Sequence, residues 1–229
     1  MILPAFRVAV APHERPMTGI KFCGMTRAED ARLAGELGAA YVGVIFAPSQ
    51  RRVEPAEAGT ILADAAGARK VGVFGEASVD DILAAAEASG LDVIQLHAGP
   101  RSGTIEGLRE SFRGEIWSVV RIAEGGILEA GGDGGMADAV LVDSYSESGL
   151  GGTGRTFDWA RELEGIRRAV ADRPLIVAGG LDPDNVSNAI RVLQPAVVDV
   201  SSGVESSPGV KDHFRMRAFA RAVAVADGE

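Results

Sequence analysis

Apolar runs of three to six residues, each ended by a small or polar residue, recur along the chain. They alternate with longer stretches in which alanine, leucine and isoleucine return every three or four positions. The short runs predict strands at 20–23, 41–46, 70–74, 93–96, 116–120, 139–142, 175–177 and 197–200. The longer ones predict helices, among them 28–37, 55–65, 79–88, 157–170 and 185–193. Because the strands are apolar nearly throughout, with little alternation, they read as parallel strands covered on both faces. Eight of them, each followed by a helical or irregular segment, predict a single-domain α/β fold, the (β/α)8 TIM barrel, ahead of an open doubly wound sheet. The pattern thins over 124–136, where six glycines make a full helix unfavourable; a short helix at 127–130 and then a loop are expected. Residues 1–18 read as a loose leader and 19–229 as the barrel domain, since no linker or composition break divides the rest.

Composition narrows the function. With 229 residues, 46% of them apolar, the chain can bury one large core. Its net charge of −9 and pI near 4.9 argue against nucleic acid and anionic membranes as partners, because both need a basic face. The longest apolar stretch of the leader, Val8 to Ala11, is too short for a signal core or a membrane span. One cysteine forms no internal disulfide, and three histidines make a multi-histidine metal site improbable, so a reducing cytoplasm and a metal-free site are expected.

Two glycine-rich strand exits point to a ligand. Leu175-Ile176-Val177 runs into Ala178-Gly179-Gly180, and Val197-Val198-Asp199-Val200 runs into Ser201-Ser202-Gly203. Such turns expose backbone N–H groups ahead of a helix and hold an anion without Lys or Arg. In a (β/α)8 barrel this is the expected phosphate site after strands seven and eight, which makes Gly179, Gly180, Ser201, Ser202 and Gly203 the candidates for it. Candidate chemistry is whatever the other strands deliver at the same end. That set is Cys23 from strand one, Arg51 from the loop after strand two, Gln95 and His97 from strand four, and Asp143 from strand six. An acid and a base around a phosphate-anchored sugar suggest proton transfer at carbon. The Gly151-Gly152-Thr153-Gly154 run lacks the ending of a P-loop and reads as part of a lid.

Several ordered blocks then carry a resemblance. Ile20-Lys21-Phe22-Cys23-Gly24-Met25-Thr26, Val93-Ile94-Gln95-Leu96-His97, Val142-Asp143-Ser144, Ala178-Gly179-Gly180-Leu181, and Asp199 to Glu205 followed by Pro208-Gly209 and Lys211-Asp212 resemble the phosphoribosylanthranilate isomerases. The likeness runs from Gly19 to the C-terminus and implies a cofactor-free Amadori rearrangement in tryptophan biosynthesis. It also implies Cys23 as general base, Asp143 as general acid and Arg51 near the anthranilate moiety of a phosphoribosyl substrate, in a monomer or homodimer. Gln50 stands where that family usually has proline, and Ala98 where it commonly has glycine. The histidine-pathway ribonucleotide isomerases share the barrel but use aspartate at the position of Cys23. A barrel that binds a sugar phosphate without catalysis is the alternative from another class.

Overall fold

The computed structural model describes residues 17–98, 103–123, 126–129, 136–144 and 158–228. Eight parallel strands close on themselves: β1 (Gly19–Phe22), β2 (Tyr41–Ile45), β3 (Arg69–Phe74), β4 (Val93–Leu96), β5 (Glu115–Ala123), β7 (Ala139–Ser144), β8 (Leu175–Val177) and β9 (Val197–Val200). The ring is completed by β4 against β5 and by β9 against β1, where Lys21 stands opposite Asp199. Every strand expected from the pattern is present, and the barrel is the fold.

The segment after β5 departs from expectation. In place of a short helix, β6 (Gly126–Glu129) folds back antiparallel on the end of β5, pairing Ala123 with Gly126 and Arg121 with Glu129. Glycine beside Ile127 and Leu128 gains little from a helical turn, whereas β5 is nine residues long and leaves an edge to pair with. The loop expected beyond it, like the Gly151 to Gly154 lid and residues 1–16 of the leader, lies outside the described residues.

Among the described residues seven helices surround the ring: α1 (Ala28–Glu36), α2 (Pro55–Ala63), α3 (Val79–Ser89), α4 (Thr104–Ser111), α5 (Trp159–Val170), α6 (Val186–Leu193) and α7 (His213–Asp227). Their ends are set by local chemistry. The Ser78 hydroxyl accepts the Asp81 N–H at the start of α3, Asp158 accepts that of Arg161 at the start of α5, and left-handed Gly90 ends α3. None of these helices is long and apolar enough to cross a membrane.

Two cores follow from the two faces of the strands. Phe22, Val42, Val44, Val142, Val198 and Val200 pack outward against the helices. Val71, Val93, Trp117, Leu141, Ile176 and Val197 fill the barrel, closed by the Tyr41 ring edge-on to Trp117 at 4.7 Å. Within that interior lies one ion pair: the Lys21 ammonium, fully buried, donates to Asp199 at 2.7 Å. At the other end of β1, Thr18 donates through N–H and hydroxyl to Asp227 at 2.6 and 2.9 Å, so the last residue assigned to the leader is fastened to the end of α7.

Candidate active site

A cleft opens at the carboxyl ends of the strands. Nine of the ten candidate residues line it: Cys23, Arg51, Gln95, His97, Asp143, Gly179, Gly180, Ser201 and Ser202. Gly203 does not. A Cβ there would stand 1.9 Å from the Leu181 carbonyl oxygen, so this glycine lets the turn after β9 lie flush against the turn after β8. Neighbouring strands bring the pieces into sequence around the rim. Cys23 follows β1 and Asp143 lies on β7, and between these two strands run β9 and β8, the pair that end in the glycine turns.

The turn after β8 is built for exposed N–H groups. Gly179 and Gly180 both take left-handed backbone, φ 87° and 68°, which side chains disfavour. Asn185 fixes the turn by donating to the Gly180 carbonyl at 2.8 Å and accepting from the Asp182 N–H at 3.0 Å. Neither Gly179 N–H nor Gly180 N–H donates to a described residue. Across from them a single-turn 3₁₀ helix, Ser202–Val204, begins directly after Ser201 and turns its N-terminus to the cleft.

Cys23 is 6% exposed. Burial pushes its thiol above the ordinary 9.0, against the pull of Lys21 and, more weakly, Lys211; Asp199 adds to the upward push. The thiol therefore rests protonated beside two buried cations, because desolvation outweighs their pull. Space for this arrangement comes from Gly43 on β2, where a Cβ would lie 3.1 Å from the Cys23 sulfur and 3.2 Å from Lys21 Cε.

On the far side His97 approaches Asp143, Nε2 to Oδ2, at 4.0 Å. Burial, with Arg121 and Lys21 adding to it, lowers the imidazole to about 4, so it is neutral at physiological pH. Arg121 donates to the His97 carbonyl at 3.1 Å and fixes the end of β4. The lowered imidazole, 13% exposed, has a consequence for stability. Unfolded histidine takes a proton near 6.5 and the folded one near 4, so stability is full above pH 6.5 and falls as pH drops through that interval, by up to about 3 kcal/mol. Denaturant unfolding of wild type and His97→Asn between pH 7 and 4 is expected to show the variant's slope shallower by about one proton. Equal slopes would place the titrating group elsewhere.

Arg51 crosses the rim from the β2 loop. Its backbone N–H is held by the Ser49 hydroxyl at 3.1 Å, and the Arg52 N–H by the Ser49 carbonyl at 3.1 Å, a tight turn made without the proline at position 50. The guanidinium is paired with Glu205, Nε to Oε1 at 2.8 Å and Nη2 to Oε2 at 2.6 Å. Glu205 belongs to β10 (Glu205–Ser207), which forms a two-stranded ribbon with β11 (Val210–Lys211) just after β9. Lys211, 3% exposed, donates from Nζ to Glu205 at 2.8 Å and to the Cys23 carbonyl at 2.6 Å. Neither residue was singled out for a role from sequence, although both stand in the block that follows strand eight. Among the described residues no group of three or more potential ligands converges on a metal position.

A closed parallel barrel with a thiol, a carboxyl and a guanidinium gathered at the carboxyl ends of its strands defines a barrel enzyme with its site in the strand-end loops. Comparison with known proteins narrows this. The family model for N-(5'-phosphoribosyl)anthranilate isomerase matches residues 20–222, and the chain belongs to that family. The N-(5'-phosphoribosyl)anthranilate isomerase of Caldanaerobacter subterraneus subsp. tengcongensis is 37% identical over 204 residues, covering 89% of this chain and 96% of that protein. Among solved structures, the Thermotoga maritima phosphoribosyl anthranilate isomerase superposes with TM-score 0.79 at 33% identity, over 91% of this chain and all of that one. A phosphoribosyl anthranilate isomerase in complex with reduced 1-(o-carboxyphenylamino)-1-deoxyribulose 5-phosphate matches at TM-score 0.73 and 30% identity, over the same shares of the two chains.

Proposed function

We propose that this chain isomerises N-(5-phosphoribosyl)anthranilate to 1-(2-carboxyphenylamino)-1-deoxyribulose 5-phosphate, an aldose-to-ketose conversion in tryptophan biosynthesis, with Asp143 as general acid and Cys23 as general base. The observation that carries the assignment of roles is the order around the rim. The strands of base and acid flank the two strands that end in glycine turns, so a phosphate held by the turns leaves the sugar between the two groups.

Asp143 protonates the furanose ring oxygen as the C1–O bond breaks and the anilinic nitrogen forms a Schiff base at C1. The Cys23 thiolate takes the proton from C2, giving an enolamine that tautomerises to the ketone. Lys21 and Lys211 stabilise the thiolate once formed, and neutral His97 stands 4.0 Å from Asp143. The N–H groups of Gly179 and Gly180, with the N-terminus of the 3₁₀ turn at Ser202, receive the phosphate, and Gln95 faces the sugar from β4. Arg51 meets the anthranilate carboxylate. The enzyme works in the cytoplasm, as a monomer or homodimer.

The test is the loss of fluorescence of phosphoribosylanthranilate generated in situ, with wild type and with Cys23→Ala. Rapid loss with the first and slow loss with the second is expected. Since proton transfer here needs no Lewis acid, turnover is also expected to survive exhaustive chelation; abolition by EDTA with restoration by a divalent ion would favour a metal-dependent epimerase.

A further inference from the structure

Arg51 is not held by its own loop alone. Glu205 takes the edge formed by Nε and Nη2, while Nη1 donates to no described residue and the guanidinium lines the cleft. Glu205 is itself fixed from behind, because the Lys211 ammonium reaches Oε1 at 2.8 Å and is tied at the same time to the Cys23 carbonyl at 2.6 Å and the Ser201 carbonyl at 3.2 Å. The arginine stem also has a path kept clear for it: a Cβ on Gly24 would stand 2.7 Å from Arg51 Cδ. Side-chain exposures of 11% for Arg51, 4% for Glu205 and none for Lys211 mark a built arrangement rather than a surface ion pair.

We propose that the β10–β11 ribbon is the specificity arm of this site: Glu205, backed by Lys211, fixes the Arg51 guanidinium so that its free edge accepts only a ligand with a carboxylate ortho to the anilinic nitrogen. This rests on the reading that Arg51 meets that carboxylate. An arginine rotating freely would lose the orientation on which two-point recognition of a carboxylate depends, and a carboxylate already on one edge is what prevents rotation. Glu205 is thus a positioning residue that acts through Arg51. Lys211 joins the same device to the backbone of the base, which links ring recognition to the place where proton transfer occurs.

The experiment measures binding of two ligands by calorimetry: reduced 1-(o-carboxyphenylamino)-1-deoxyribulose 5-phosphate, and the same molecule without the ring carboxylate. Glu205→Ala is expected to weaken the first by at least about tenfold and the second by less than twofold. Arg51→Ala is expected to do the same, and the double variant to be no worse than Arg51→Ala alone, the mark of a residue that acts only through the other. Glu205→Gln, which keeps the shape and loses the charge, serves if the alanine variant does not fold, with the same expected selectivity loss. If Arg51→Ala removes the preference for the carboxylate and the Glu205 variants keep it, the specificity arm is overturned while the Arg51 reading stands. Equal weakening of both ligands by the Glu205 variants would mean a merely structural role and would also overturn it. If Arg51→Ala itself leaves the preference intact, the reading of Arg51 fails and the proposal with it.

Discussion

Replacing Asp143 by asparagine, or Cys23 by alanine, is expected to lower kcat by roughly 10²- to 10⁴-fold in a protein that still folds, since each removes one proton-transfer partner. Asparagine keeps the size of the carboxyl and its place on β7 while removing the proton it delivers. Alanine in place of Cys23 removes one sulfur from a nearly closed position beside Gly43, a small cavity that the barrel tolerates. The pH profile separates the two roles. Burial holds the resting thiol above 9.0, so the thiolate fraction of the free enzyme grows with pH throughout the neutral range. The value of kcat/KM is expected to climb with pH through 8 to 9 in wild type, and the Cys23→Ala remnant to lack that limb. A flat wild-type profile between pH 7 and 9 would show that thiol ionisation does not govern the free enzyme, and near wild-type turnover by Asp143→Asn would remove that carboxyl from the reaction.

The second large effect is expected at Gly203. Its side-chain position is occupied by backbone, 1.9 Å from the Leu181 oxygen and 3.1 Å from Asp182 Cα, and neither atom can swing aside as a flexible side chain would. Valine there separates the turn after β8 from the turn after β9. The Kd for inorganic phosphate and the KM for substrate are expected to rise at least about tenfold, and the melting temperature to fall by several degrees, as overpacking by about 1–3 kcal/mol would do in a domain of this size. Gly67→Val is the control, since at φ 82° it meets nothing within 4 Å and carries local backbone strain alone. Unchanged KM and phosphate affinity in a folded Gly203→Val protein would detach the phosphate from these turns.

The strands were legible because each is a compact apolar run, and the same runs told which residues would emerge at their ends. Short-range pattern carries less about partners. Lys21 interrupts Ile20 and Phe22, and Asp199 interrupts Val198 and Val200. A lone cation and a lone anion in strands meant for burial imply a pair, yet only the register of β1 on β9 shows that they are opposite each other. The burial that pushes the Cys23 thiol up is contained in no local pattern. Gly203 was expected among the phosphate-binding residues; it does not line the cleft, and the constraint on it is the Leu181 carbonyl from another turn. The strand β6 was missed because its partner, the far end of β5, is supplied by tertiary pairing rather than by its own four residues. Arg51, Glu205 and Lys211 come together across about 160 positions of chain, a separation at which no spacing rule operates.

Thr18 and Asp227 meet at the floor of the barrel, on the side away from the cleft, so the start of the first strand and the end of the last helix are neighbours, with the Phe22 ring against Phe219 further up. A short peptide could bridge that seam, and new termini opened in a loop on the same floor, such as the one around Gly67, would leave the eight-strand ring and its mouth in their present geometry. By the same geometry, a tag or second domain tethered behind Asp227 hangs below the barrel and leaves the path of the substrate clear.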